Sequence, residues 1–161
     1  MLEFIAARRS ASFLQTPAWA RVKSEWRGER IGFYDGDELT GVGLILYRKL
    51  PKLPRYLAYL PEGPVLDWSR DDIDEHFDAL VAHVKKRQAF AGRVGPAVVH
   101  RMWGTKTIKT AIADDNVTSL TEVAPDAITP EGERVVSVLK RGGWITDNLS
   151  LIHISEPTRP Y

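Results

Sequence analysis

Apolar positions between Asp71 and Gln88 recur with the spacing of one face of an α-helix. Acidic residues lead this segment and basic residues close it, an order that suits the dipole of a helix. We therefore predict a helix over residues 71–88. Its buried stripe is expected to consist of Ile73, Phe77, Leu80, Val81 and Val84, at positions i, i+4, i+7, i+8 and i+11.

Apolar runs bounded by turn residues predict strands on either side of this helix. A hairpin is predicted from Arg30–Tyr34 and Leu39–Tyr47, with Asp35-Gly36-Asp37 as its turn, followed by strands at Arg55–Leu60 and Ala89–Gly95. Shorter helices are predicted over residues 16–26, 105–114 and 130–141, and a last strand is predicted to begin at Trp144. This order of helices and strands is typical of an α/β domain with a mixed sheet.

Four residues, Pro61-Glu62-Gly63-Pro64, interrupt two apolar stretches and raise the question of what they build. The two prolines fix φ, and Gly63 can adopt a conformation closed to other residues, so the segment predicts a rigid backbone corner at the end of a strand. Such a corner could line a cleft with its backbone groups, or it could be only a tight connection between strands. The residues alone leave both interpretations open.

Composition narrows the class of protein. A chain of 161 residues is sufficient for one domain, and 22 basic against 21 acidic residues give a net charge of +1, so any anion site must be local. The chain has no cysteine, which excludes disulfides and thiolate chemistry. Because neither a secretory signal nor an apolar run of ~20 residues is found, we expect a soluble, intracellular protein.

Several motifs stand in an order that resembles a known family. "FLQTPAWARVKSEW", the hairpin "DGDELTGVGLILYRKLP", "RYLAYLPEGPVLDW" and "GRVGP" together resemble the N-terminal half of FemABX aminoacyltransferases, from about Ser12 to about Trp144. The resemblance implies a truncated acetyltransferase-like (GNAT-like) fold, with a mixed sheet flanked by helices. It also implies residues 1–148 as an incomplete N-terminal domain.

The family resemblance implies transfer of an amino acid of the glycine, alanine or serine type during interpeptide bridge formation in bacteria. The donor would be aminoacyl-tRNA, bound by the full-length parent, and the acceptor the stem-peptide amine of lipid II or UDP-MurNAc-pentapeptide. Such a reaction is expected in the cytoplasm or at the inner face of the membrane, without a cofactor. This chain alone is expected to be inactive and to bind no nucleic acid stably.

Two alternatives remain beside the aminoacyltransferase. One is a small-molecule N-acyltransferase that uses coenzyme A, which the lack of a convincing pyrophosphate loop disfavours. The other is a non-catalytic binding module for cell-wall precursors. A parent reading frame that encodes a second similar domain would favour the transferase.

Candidate substrate contacts are Lys23, Tyr59, Pro61, Gly63, Pro64 and Arg93, while no catalytic residue is assigned. The family places a basic residue of the "WxxVK" helix against the diphosphate of the precursor. At ~100° per residue, Lys23 falls within about 40° of Trp19 whereas Arg21 falls on the opposite side, so Lys23 is the better candidate. Arg93, in an otherwise apolar strand, requires a carboxylate or a ligand anion as its partner.

Glu62 and the four histidines are not assigned to a binding site. The carboxylate of Glu62 would repel a phosphate, so this residue is not assigned to phosphate binding. The histidines at positions 76, 83, 100 and 153 show no metal-ligand spacing and are expected at the surface or at edges, so no metal site is predicted.

The C-terminal "LSLIHISEPTRPY" resembles a translated sequencing adapter and not a protein family. We therefore expect residues 149–161 to be a non-native read-through tail. The alternative is a genuine tail whose Leu151, Ile152 and Ile154 add an edge strand.

Overall fold

The computed structural model describes residues 1–8 and 11–145. The described residues form two compact units, unit 1 up to Val98 and unit 2 from Val99 onward. The predicted adapter-like tail and His153 lie outside the described residues. Within the described part of the chain, no helix is both long and apolar enough to cross a bilayer.

Unit 1 consists of a mixed sheet with helices on both faces, as the sequence predicts. Its helices are α1 (Leu2–Ala6), α2 (Pro17–Val22) and α3 (Ile73–Lys86), with a 3₁₀ turn at Phe13–Gln15. Its strands are β1 (Arg27–Asp35), β2 (Glu38–Lys49), β3 (Tyr56–Leu60), β4 (Val65–Leu66) and β5 (Ala89–Val94). The order is β1-β2-β3-β5, with β4 also paired to β2, and only β3 and β5 run parallel.

The register of the strands defines two faces of this sheet. Residues paired across strands point to the same side, which places Leu46 and Tyr59 together. We call this side the α2 face, because helix α2 covers it. A Cβ added to Gly28 on β1 would lie 3.0 Å from the Cβ of Ala20 on α2. On the other side, the α3 face, the Phe33 ring lies 5.3 Å from the ring of His76 on α3.

The predicted apolar stripe of α3 is confirmed. Ile73, Phe77, Leu80 and Val84 are buried, and Val81 is half-buried at the margin of the helix face. The sheet supplies the opposing apolar surface through residues such as Ile45, Ala58 and Leu60. Burial of this face stabilises the helix more than its intrinsic propensity does.

His76 is buried, which contradicts the expectation of a surface or edge histidine. Its Nδ1 lies 2.8 Å from the carbonyl oxygen of Asp72, which can only accept, so Nδ1 carries the proton and donates. Its Nε2 lies 2.9 Å from the hydroxyl of Thr40. A register shift after Phe33 turns Thr40 inward beneath α3, and this bulge was not predicted.

The described part of unit 2, residues 99–145, contains a two-stranded sheet and two helices. Its elements are β6 (Arg101–Met102), α4 (Thr105–Ile112), a 3₁₀ turn at Leu120–Glu122, β7 (Ala127–Ile128) and α5 (Pro130–Arg141). The predicted helices α4 and α5 are confirmed. The predicted strand is wrong for Trp144 and Ile145, because Gly143 has a φ of +79° and the Trp144 amide donates to the Leu139 carbonyl, which is a helix-ending motif.

Candidate functional site

The Pro61–Pro64 corner is a two-residue insertion in a strand that runs alongside β2. Leu46 pairs with Tyr59 and Val42 with Val65, so three residues of β2 face five residues of the β3–β4 segment. The backbone of β2 is therefore without a strand partner on this side around Leu44. Such a gap would leave a buried amide unpaired unless a side chain entered it.

Gln15 fills the gap from the 3₁₀ turn that precedes α2. Its Oε1 accepts from the Leu44 amide at 2.8 Å, and its Nε2 donates to the Pro61 carbonyl at 2.5 Å. The side chain is 0% exposed, and both of its polar groups are satisfied. Gln15 thus joins β2 to the corner and fixes the start of α2, a role that the sequence did not reveal.

Gly63 is required for a different reason than expected. The residue with positive φ in the corner is Glu62, at +46°, and not Gly63. A Cβ added to Gly63 would lie only 2.3 Å from Cδ of Gln15. The expectation that Gly63 adopts a conformation closed to other residues is therefore wrong, and close packing against Gln15 explains the glycine. The Gly63 carbonyl accepts from the Gly95 amide at 3.2 Å, which ties the corner to the chain after β5.

The burial of the corner determines how it can contribute to a site. Pro61, Gly63 and Pro64 are buried, and Glu62 is half-buried. Because the carbonyls of Pro61 and Gly63 already accept hydrogen bonds within the protein, the corner fixes the positions of its neighbours. A direct contact of these three residues with a ligand stays a prediction.

Helix α2 ends earlier than predicted, and this places Lys23 at its terminus. The helix ends at Val22, Lys23 leaves helical geometry with a φ of −92° and a ψ of 51°, and the Trp26 amide donates to the Lys23 carbonyl at 2.9 Å. The Lys23 Nζ lies 5.4 Å from the centre of the Trp19 ring. This confirms the predicted proximity to Trp19, while Arg21 is exposed.

Tyr59 and Arg93 are neighbours on the α2 face. They are paired in the parallel register of β3 and β5, and Tyr59 is half-buried while Arg93 is exposed. The ring of Trp26 lies 6.3 Å from that of Tyr59, and the Arg48 guanidinium lies 5.6 Å from the Trp26 ring centre. The structure therefore links Tyr59 to two residues, Trp26 and Arg48, that sequence reasoning missed as site candidates.

We call this group the α2-face cluster. Its members share one side of the sheet or the adjoining end of α2: Lys23, Trp26, Arg48, Tyr59 and Arg93. Alternation along β2 could have placed Arg48 on the face of Leu46, but only the pairing of β2 with β3 shows that Tyr59 shares that face. Within the described part of the chain, Lys23 and Arg48 form no ion pair, so their charges are available to an anion.

A second polar group lies on the α3 face and is satisfied internally. Glu29 accepts from Arg87 Nη2 at 2.6 Å and from the Tyr47 hydroxyl at 2.8 Å, and it lies 3.1 Å from His83 Nε2. Burial opposes ionisation, but these hydrogen bonds outweigh it and hold the pKa of Glu29 at about 2. Burial and the bond to Glu29 raise the pKa of Tyr47 above its usual range. This group joins the sheet to α3.

No metal centre is evident among the residues described. Within 1–8 and 11–145, no three histidine, aspartate or glutamate side chains converge in a way that could hold a metal ion. The α2 face presents cations beside aromatic rings, an arrangement that suits recognition of an anionic ligand.

Comparison with known proteins provides an independent finding. A model of the FemAB family matches residues 2–124. The lipid II:glycine glycyltransferase of Staphylococcus saprophyticus is 33% identical over 98 residues, which cover 59% of this chain and 24% of that protein. The lipid II:glycine glycyltransferase of Staphylococcus haemolyticus is 31% identical over 98 residues, covering 59% and 23% respectively. The chain thus spans about a quarter of the length of these curated relatives.

A solved structure shows the same fold. The crystal structure of FemX aligns with a TM-score of 0.55 and 29% sequence identity, covering 69% of this chain and 28% of the FemX chain. The agreement supports the mixed α/β architecture described above.

Proposed function

This chain belongs to the FemAB family, and from that premise we propose that a protein containing it transfers an amino acid from aminoacyl-tRNA to a peptidoglycan precursor. The amino acid is of the glycine, alanine or serine type, and the acceptor is the stem-peptide amine of lipid II or of UDP-MurNAc-pentapeptide. The names of the curated relatives support acyl transfer to lipid II as the reaction class. An acetyltransferase-like identity of the fold is part of this proposal.

The observation that carries the proposal is the α2-face cluster. Three of its members are cationic in a chain whose net charge is +1, so the positive charge is a local feature. We assign Lys23 to the diphosphate that the two candidate acceptors share, because its ammonium lies at the end of α2 and has no counter-ion among the residues that the structure describes. Trp26 and Tyr59 provide an aromatic surface beside it, and Arg93 extends the cationic edge along β5.

The proposed reaction depends mainly on how the acceptor amine is positioned relative to the aminoacyl ester. The acceptor amine attacks the ester carbonyl of the aminoacyl-tRNA, a C–N bond forms, and the C–O bond to the terminal ribose breaks. The amine loses a proton, and the departing ribose hydroxyl gains one. No side chain of this unit is assigned as the base, so its contribution is to hold the acceptor in an orientation that favours attack, which can account for a large part of a rate enhancement.

The buried corner contributes indirectly to this arrangement. Pro61, Gly63 and Pro64 fix the end of β3, which carries Tyr59, and they hold Gln15, which precedes α2. They are thus proposed as the residues that fix the spacing between Tyr59 and Lys23.

Direct binding of UDP-MurNAc-pentapeptide to the 161-residue chain tests the proposal. Charge-assisted hydrogen bonds contribute about 1.5–3 kcal/mol, so Lys23→Ala should weaken binding by roughly 10- to 100-fold in calorimetric titration. Arg21→Ala is the matched control, since it removes a charge from the solvent side of the same helix and should change affinity by no more than about two-fold. Equal losses in both variants, or no binding by the wild type, would contradict the assignment.

Addition of aminoacyl-tRNA then separates a transferase from a binding module. Amide formation, detected by mass spectrometry of the precursor, would show that these residues complete a catalytic site. Binding that depends on Lys23 without transfer would show an acceptor-binding module.

A further inference from the structure

Unit 1 is electrically polarised along α3, and one end of it is basic. The end where β2, β3 and α3 meet carries five exposed cations that form no ion pair with any described residue: Lys49, Lys52, Arg55, Lys85 and Lys86. Glu25 precedes β1 at this end, and Glu29 is already bonded to Arg87. The positive charge of this end therefore faces solvent.

Backbone hydrogen bonds bring these cations to one place. The Tyr56 amide donates to the Gln88 carbonyl at 3.2 Å, which joins the end of α3 to the start of β3. The Leu50 amide donates to the Arg55 carbonyl at 2.9 Å, which closes the intervening loop. The charges from α3 and from the loop are thus attached to the same strand end.

The opposite end of unit 1 is acidic. The β1–β2 turn and the start of α3 carry eight carboxylates: Asp35, Asp37, Glu38, Asp67, Asp71, Asp72, Asp74 and Glu75. Arg70 lies 2.6 Å from Asp72 and 3.6 Å from Asp35, which shows that the two segments meet. Since α3 has 14 residues, roughly 20 Å separate the two ends. A negatively charged surface would attract one end and repel the other.

The basic end also presents an apolar tip. Leu53 is 54% exposed and stands between Lys52 and Arg55, within a loop that two prolines, Pro51 and Pro54, stiffen. Phe90, 58% exposed, lies next to Ala89, which pairs with Tyr56 at the same end of the sheet. An exposed apolar side chain flanked by cations matches the interface of an anionic bilayer, with its negative headgroups above acyl chains.

We propose that this basic end docks on the surface of an anionic lipid bilayer, with Leu53 entering the headgroup region. Leu53, on a loop that two prolines stiffen, favours lipid over RNA as the partner, because its aliphatic side chain offers no surface on which a base can stack, whereas the ring of Phe90 suits either partner. The acidic end then points away from the membrane and orients unit 1. The inference needs no precursor and stands independently of the proposed transfer.

A fluorescent reporter at Leu53 tests insertion directly. The chain has no cysteine, so Leu53→Cys creates a single site for an environment-sensitive dye. Vesicles of phosphatidylcholine with phosphatidylglycerol should raise and blue-shift its emission, whereas pure phosphatidylcholine should not. The control is Asp37→Cys at the acidic end, whose dye should report no change. Equal responses at both positions, or none at either, would overturn the proposal.

Charge removal provides a second test that also identifies a nucleic-acid partner. Each basic residue near an anionic surface contributes a factor of about five in partitioning, so Lys52→Gln/Arg55→Gln should weaken vesicle binding by on the order of twenty-fold. Asp37→Asn/Glu38→Gln changes the net charge by the same amount at the exposed acidic end of the same unit, roughly 20 Å away and beyond the Debye length, and should change binding by no more than about two-fold. If Lys52→Gln/Arg55→Gln instead weakens binding to tRNA, and the wild type does not bind vesicles, the surface binds RNA and the membrane proposal is wrong.

Discussion

Replacing Gly63 with alanine is expected to destabilise unit 1, and removing the Gln15 side chain is expected to cancel most of that effect. A Cβ at position 63 would lie 2.3 Å from Gln15 Cδ and 2.5 Å from both of its terminal atoms. Gly63 is buried, so the added methyl group cannot turn outward. The alanine must displace Gln15, and with it the hydrogen bonds to Leu44 and Pro61.

The magnitude follows from those two hydrogen bonds. Each buried backbone group that is left unpaired costs about 1–3 kcal/mol, so displacement of Gln15 should lower the free energy of unfolding by about 2–6 kcal/mol. Gln15→Ala removes the same two bonds and should have a similar effect. In the double variant the methyl group enters space that Gln15 has vacated, so its cost should resemble that of Gln15→Ala alone.

Urea denaturation of the four proteins in this cycle, followed by circular dichroism, measures the coupling. Independent sites add within about 0.3–0.5 kcal/mol, whereas we expect a coupling of about 2 kcal/mol or more. Gly142→Ala is the control, because its Cβ would meet other atoms only at 3.5 Å and beyond. Hydrogen exchange at the Leu44 amide should accelerate in all three variants of the cycle. Additive effects, or a Leu44 amide that stays protected without Gln15, would refute the reasoning.

Three further predictions concern other contacts. The pKa of Glu29 is lowered from 4.5 to about 2, so its ion pairs stabilise the fold above pH 4.5 and are lost as the pH falls toward 2. Glu29→Gln should therefore lower the free energy of unfolding by about 1–2 kcal/mol at neutral pH. In acid denaturation, the difference in stability between this variant and the wild type should vanish. Thr129 caps α5 by accepting from the Gly132 amide at 3.1 Å, so Thr129→Ala should cost about 1 kcal/mol in urea denaturation and Thr129→Ser much less. Gln15→Ala should also weaken binding of UDP-MurNAc-pentapeptide about ten-fold at a temperature where the variant is folded, a loss that Glu29→Gln should not share.

Local periodicity predicted those helices and strands whose packing partners lie nearby in the sequence or need only be apolar. The apolar stripe of α3 needs only some apolar surface to bury against, so Ile73 and Phe77 could be assigned without knowledge of the sheet. The β1–β2 turn was predicted for a similar reason, since Asp35-Gly36-Asp37 determines a hairpin locally. The predicted position of Lys23 beside Trp19 depended only on helical geometry over four residues.

Features that depend on distant pairing could not be predicted in this way. Gln15 acts on Leu44 and Pro61, which are 29 and 46 residues away, and nothing near Gln15 distinguishes it from an ordinary surface glutamine. The burial of His76 depends on a bulge at Thr40 in another element. Arg48 and Trp26 join the candidate site only because β2 pairs with β3 in one particular register.

Gln15 connects the Pro61–Pro64 corner to the α2-face cluster, which explains why this buried side chain should affect the binding of a ligand that it does not contact. Gln15 stands two residues before Pro17, where α2 begins, and the helix has only six residues before it releases Lys23. A displacement of Gln15 therefore moves the whole of α2, because so short a helix has little packing of its own to hold it. The other end of the same link is Pro61, two residues after Tyr59. One side chain thus sets the separation between the cation at the end of α2 and the aromatic ring on β3, and the Pro-Glu-Gly-Pro sequence provides the rigid backbone against which that separation is fixed.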